Sequence, residues 1–93
     1  MYIFAASVEL SLPTLTLKEK RGIVKSLMGR MRNRFNVAVA EVEGLDDRGR
    51  GVLGIVTVSN SRPYARGLLE RVERWLIEER PDIEVSRFEI EEC

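Results

Sequence analysis

Ninety-three residues make a single domain that buries about 60–65% of the surface its unfolded chain exposes, enough for one core and no second unit. Fifteen basic and fifteen acidic side chains cancel, histidine is absent, and the lone thiol is Cys93; an internal disulfide, a cysteine-rich metal cage and the usual histidine-based acid–base pair are excluded. No apolar run approaches the ~20 residues that cross a bilayer and residues 1–12 lack a basic leader, so a reducing, cytoplasmic setting without a membrane partner is expected.

Residues 2–12 alternate, with Tyr2, Phe4, Ala6, Val8, Leu10 and Leu12 on one face, and predict a strand that Pro13 ends. Thr16 and Glu19 form a capping box that starts a helix at Leu17. At about 100° per residue, Leu17, Ile23, Val24, Leu27, Met28, Met31 and Phe35 share its apolar face, with Lys18, Arg21, Lys25 and Arg32 in a stripe beside them. Asn36 breaks the helix. Residues 37–43 and 52–59 read as strands flanking a turn-rich stretch at 44–51. Ser61 and Pro63 open a second helix carrying Ala65, Leu68, Leu69, Val72 and Leu76 at helical spacing, which runs to about Glu79. Residues 83–91 form a last strand whose apolar phase slips between Val85 and Phe88, predicting a bulge at Ser86 or Arg87.

The resulting βαββαβ order predicts an α+β, ferredoxin-like sandwich: a four-stranded antiparallel sheet of order 4-1-3-2 with both helices on one face. In that topology the start of the first helix and the 44–51 hairpin share one end of the molecule. Lys18, Lys20 and Arg21 are thereby expected beside Arg48 and Arg50, and Arg32 and Arg34 at the far end.

Neutral overall, the chain segregates its charge. Residues 1–36 carry seven cations, all on the first helix, against Glu9 and Glu19; residues 37–93 carry eight against thirteen acids. In the second helix, Arg66 with Glu70, Glu70 with Arg74 and Arg74 with Glu78 have the i,i+4 spacing of ion pairs, whereas the first helix has no such pair. Lys18, Lys20 and Arg21 also occupy a first turn, where the helix dipole disfavours exposed cations by roughly 0.3–1 kcal/mol each. Clustered cations beside free N–H groups form an anion site. Twelve arginines against three lysines, no glutamine and few asparagines fit a heat-adapted source or a GC-rich genome.

The stretch TLKEKRGIVKSLMGRMRNRFNVAVAEVE at residues 16–43, followed by VLGIVTVSN at 52–60, resembles the YlxP-like family of small bacterial proteins of unknown function. Leu15 and Ala38 depart from its pattern, standing where histidine and serine are common, which argues against chemistry at either position. The resemblance implies a ferredoxin-like fold and, because members are often encoded beside translation-initiation and ribosome-maturation factors, an RNA or ribosome role. It supplies no catalytic residues.

The expected function is therefore non-enzymatic binding of RNA or the ribosome by Lys18, Lys20, Arg21, Lys25, Arg48 and Arg50. Neutralising about four phosphates would give a salt slope near −3. The alternative is a protein-association module, a homodimer that pairs an edge strand or covers an open sheet face carrying Ile3, Ala5, Ala38, Ala40, Val42, Leu53 and Ile55. Three other readings are weaker. RRM-type recognition needs aromatics on central strands, and the third strand has none. The fold's enzymatic rival, acylphosphatase, needs a glycine–valine–arginine phosphate loop where this chain has LSLPTLTLKEKR. Glu41, Glu43, Asp46 and Asp47 read as a solvated turn before they read as a Mg²⁺ site. No cofactor and no small-molecule substrate are expected.

Overall fold

The computed structural model describes all 93 residues. Its elements are β1 (Tyr2–Ser11), α1 (Leu17–Arg34), β2 (Ala38–Glu43), β3 (Arg50–Ser59), α2 (Arg62–Glu79) and β4 (Glu84–Glu92). All strand pairs are antiparallel, in the order β2-β3-β1-β4, which read from the other edge is β4-β1-β3-β2. The chain is thus an α+β fold with one open sheet.

Each boundary has a local cause. Thr16 is extended and its Oγ1 accepts the backbone N–H of Glu19 at 3.1 Å, which starts α1. Phe35 leaves the helix in an extended conformation while its N–H still bonds Met31 O, so α1 ends before Asn36. Ser61 caps α2, with Pro63 in its first turn. The slip in β4 falls at Ser86: Glu9 pairs with Arg87 and Leu10 with Val85, leaving Ser86 as the extra residue.

One sheet face and both helices share a single core. Phe4, Ala6, Val8 and Leu10 from β1 meet Leu53 and Ile55 from β3, Val24, Leu27 and Met31 from α1, and Ala65, Leu69, Val72 and Leu76 from α2. Complete burial of a Leu, Ile or Val side chain contributes about 1.5–3 kcal/mol. This packing corrects the expected phase of β3. Because Val8 pairs with Leu53 and Ala6 with Ile55, both residues point under the helices, and Val56 and Val58 take the open face at 42% and 47% exposure.

Candidate nucleic-acid interface

The hairpin tip is docked on the segment leading into α1. Leu12 N–H donates to Gly49 O at 2.8 Å, and the Thr14 hydroxyl donates to Arg48 O. Gly44, at φ +78°, turns the chain out of β2; its carbonyl accepts Asp47 N–H at 3.0 Å. Asp47 Oδ1 in turn accepts Gly49 N–H at 2.9 Å. The start of α1 and the tip therefore lie together, with Lys18, Arg21 and Arg48 at one end of the molecule.

Lys20 does not join that surface. Its side chain is fully buried, and its Nζ donates to Glu41 Oε2 at 2.5 Å and to Gly44 O at 2.6 Å. The physical reason is helical phase: residues 20, 24, 27 and 31 follow one another at helical spacing and are all buried. Gly51 makes the space, since a β-carbon there would stand 3.0 Å from Glu41 Oε2 and 3.5 Å from Lys20 Cε. Lys20 is a structural cation and is removed from the phosphate-binding set.

Arg50 is also largely spent within the fold. Its Nε donates to Glu9 Oε1 at 2.7 Å, and Glu43 lies 3.8 Å from its Nη2. The hydrogen bond to Glu9, then Glu9's charge and, further out, those of Glu43 and Asp47 raise the Arg50 pKa above its ordinary value. Arg21 is held loosely, 3.6 Å from Asp46, with both side chains exposed. Lys18, Lys25 and Arg48 are exposed, and none takes part in the eight ion pairs of the molecule. Glu19 shares the helix start; the Thr16 hydroxyl donates to its carboxylate at 3.1 Å, in place of the reciprocal bond to the Thr16 N–H.

The contrast expected between the two helices is absent, since neither holds an i,i+4 ion pair. None of Arg66–Glu70, Glu70–Arg74 and Arg74–Glu78 forms, although the spacing permits all three. Arg71 instead lies over the Tyr64 ring at 5.4 Å, and Glu79 pairs with Arg30 of α1. Near the end of α1, Arg34 lies over Phe35 at 5.8 Å, and Phe35 meets Trp75 edge-on at 5.8 Å. Trp75 is half-buried between α2 and this turn, while Tyr64 is 57% exposed.

The acids at the hairpin do not converge. Glu41 points inward to Lys20 and Glu43 outward toward Arg50, and no group of three or more acidic or thiol side chains is placed to share an ion. On the open sheet face Ala38, Ala40, Val42, Val56 and Val58 are exposed side by side on β2 and β3, whereas the β4 end of the same face carries Arg87, Glu89 and Glu91. No helix is long and apolar enough to cross a membrane.

A family model described as "Protein of unknown function (DUF503)" matches residues 3–90. "Uncharacterized protein YlxP" of Bacillus subtilis (strain 168) is 39% identical over 69 residues, covering 74% of this chain and 74% of that protein.

Proposed function

The chain belongs to the YlxP-like (DUF503) family of unknown function, and from that premise we propose that it is a non-catalytic, RNA-associated binding protein. Phosphates would be held by Lys18, Arg21 and Lys25 on the outer stripe of α1, with Arg48 of the hairpin tip beside them. The observation that carries this reading is that Lys18, Lys25 and Arg48 are exposed and have no carboxylate partner in a chain whose net charge is zero. Lysines act there as point charges, and an arginine can fork onto phosphate oxygens. Arg50 supports the site by fixing the hairpin and is not one of its contacts.

Triple reversal of Lys18, Arg21 and Lys25 to glutamate should abolish co-sedimentation with ribosomes or structured RNA while circular dichroism is unchanged. Retained co-sedimentation would reject the stripe. A phosphate-release assay on acetyl phosphate separates this reading from the acylphosphatase one, since turnover by the wild type would make the protein an enzyme.

A second reading is protein association through the open sheet face, favoured by the exposed row Ala38, Ala40, Val42, Val56 and Val58. A second copy of the chain packed face to face suits this row better than edge pairing. Arg32 already donates to Val39 O at 2.9 Å, so part of the β2 edge is occupied.

A further inference from the structure

We propose that the groove between the end of α1 and the outer side of α2 holds one unpaired nucleotide of the bound RNA, its base stacked on Tyr64 and its phosphate forked by Arg34 and Arg74. The groove has a volume of about 480 Å³, and its walls include Arg34, Arg71, Arg74, Phe35, Tyr64 and Trp75. That volume lies within the ~300–1,000 Å³ of small-ligand sites, and suits a single nucleotide better than a duplex. The inference rests on the RNA-binding reading but uses a surface separate from the α1 stripe. Arg34 projects toward α2, whereas Lys18, Arg21 and Lys25 lie on the other side of the helix, where Arg32 reaches β2.

Charge and aromatic geometry agree on the ligand. Three guanidinium groups line the groove against the single carboxylate of Glu78, and none of the three forms an ion pair. Two of them rest on aromatic rings, Arg34 on Phe35 and Arg71 on Tyr64. Such stacking restrains a guanidinium while leaving N–H donors free for a phosphate. Tyr64 is an exposed aromatic ring in the first turn of α2, with Arg71 at its ring; Phe35 and Trp75, in edge-on contact, line the same groove. Cations interleaved with aromatic faces are the composition of single-strand binding grooves, in which a base stacks and the backbone is neutralised.

Trp75 is the only tryptophan and lines the groove, so it reports occupancy directly. Titrating the full-length protein with a uridylate octamer at 50 mM salt should quench Trp75 fluorescence in a saturable way. Tyr64→Ala should weaken that titration by roughly 5- to 150-fold, the range for loss of one stacked base. Arg34→Glu with Arg74→Glu should abolish it, and reversal of Lys18, Arg21 and Lys25 should leave it within a few-fold. If the stripe reversal alone removes both octamer quenching and structured-RNA binding, the groove is rejected and the α1 site stands. If structured RNA fails to bind the wild type while the octamer still quenches, the α1 site is rejected and the groove stands. Equal quenching by an oligoglutamate of the same charge, or no effect of Tyr64→Ala, would overturn the nucleotide assignment.

Discussion

Lys20 Nζ lies 2.5 Å from Glu41 Oε2, and this buried pair ties the start of α1 to the end of β2. The same ammonium bonds Gly44 O, so one side chain fixes the helix, the strand and the turn that follows it. Desolvating both charges is costly, and the pair is kept by its geometry and by the extra bond to the carbonyl. Lys20→Met leaves Glu41 facing the core without a partner and should lower unfolding stability by about 3–5 kcal/mol in a urea titration. Lys20→Met with Glu41→Leu should recover much of that loss. RNA affinity per folded molecule should be the same in wild type and double variant, because the Lys20 side chain is fully buried.

Gly44 predicts a second stability loss with a different cause. A β-carbon there would stand 2.9 Å from Arg50 O, a backbone atom that cannot swing away, and the position has positive φ. Gly44→Ala should cost at least about 1–2 kcal/mol from the left-handed backbone alone, read as a lowered thermal midpoint. Gly51→Ala should act through Glu41 instead, pushing its carboxylate off Lys20, so Gly51→Ala combined with the Lys20→Met and Glu41→Leu changes should cost less than Gly51→Ala alone.

Element order, both helix starts and the bulge at Ser86 were legible in the sequence because each rests on periodicity or on a short-range cap. The fate of Lys20 was also legible in principle. It sits in phase with Val24, Leu27 and Met31, and Glu41 continues the inward phase of Val39, so a lysine and a glutamate both face the core. The phase of β3 was not legible, since Val52, Leu53, Ile55, Val56 and Val58 offer apolar side chains to either face and only the pairing with β1 decides between them. The unpaired arginines of α2 were hidden for another reason. Spacing at i,i+4 permits an ion pair but does not form one: Arg66, Glu70, Arg74 and Glu78 are all exposed, where such a pair contributes only about 0.2–0.5 kcal/mol.

Arg80 forks onto Asp82, with Nε 2.9 Å from Oδ1 and Nη2 2.7 Å from Oδ2, and braces the turn from α2 into β4. The hydrogen bond from Arg80 is the main cause that lowers the Asp82 pKa, with Arg80's charge adding to it. A lowered folded-state value means that the pair's contribution is complete above the ordinary aspartate range, near 3.9, and is lost as pH falls through the lowered value. Carboxyl NMR titration should place Asp82 below free aspartate in the wild type and return it to the ordinary range in Arg80→Ala. An unchanged titration in that variant would contradict the fork.

The open sheet face predicts self-association. Sedimentation velocity at micromolar concentration should show a dimer for the wild type and a monomer for Val56→Asp, since a carboxylate at the centre of the apolar row would be desolvated in the pair. A wild-type monomer at that concentration would remove the association reading.

Binding of RNA phosphates by exposed cations at the start of α1 and the hairpin tip has its plainest signature in the salt dependence of affinity. With Lys20 buried and Arg50 held by Glu9, four of the six cations remain, and with Arg21 facing Asp46 at 3.6 Å about three phosphates are neutralised. The slope of log affinity against log salt should then be about −2 to −2.7, so raising salt from about 50 to 200 mM should weaken structured-RNA binding roughly 20- to 40-fold. Lys18→Glu, Arg21→Glu and Lys25→Glu together should abolish that binding. No binding by the wild type at low salt, or a binding whose slope is flat, would rule out phosphate recognition by these cations.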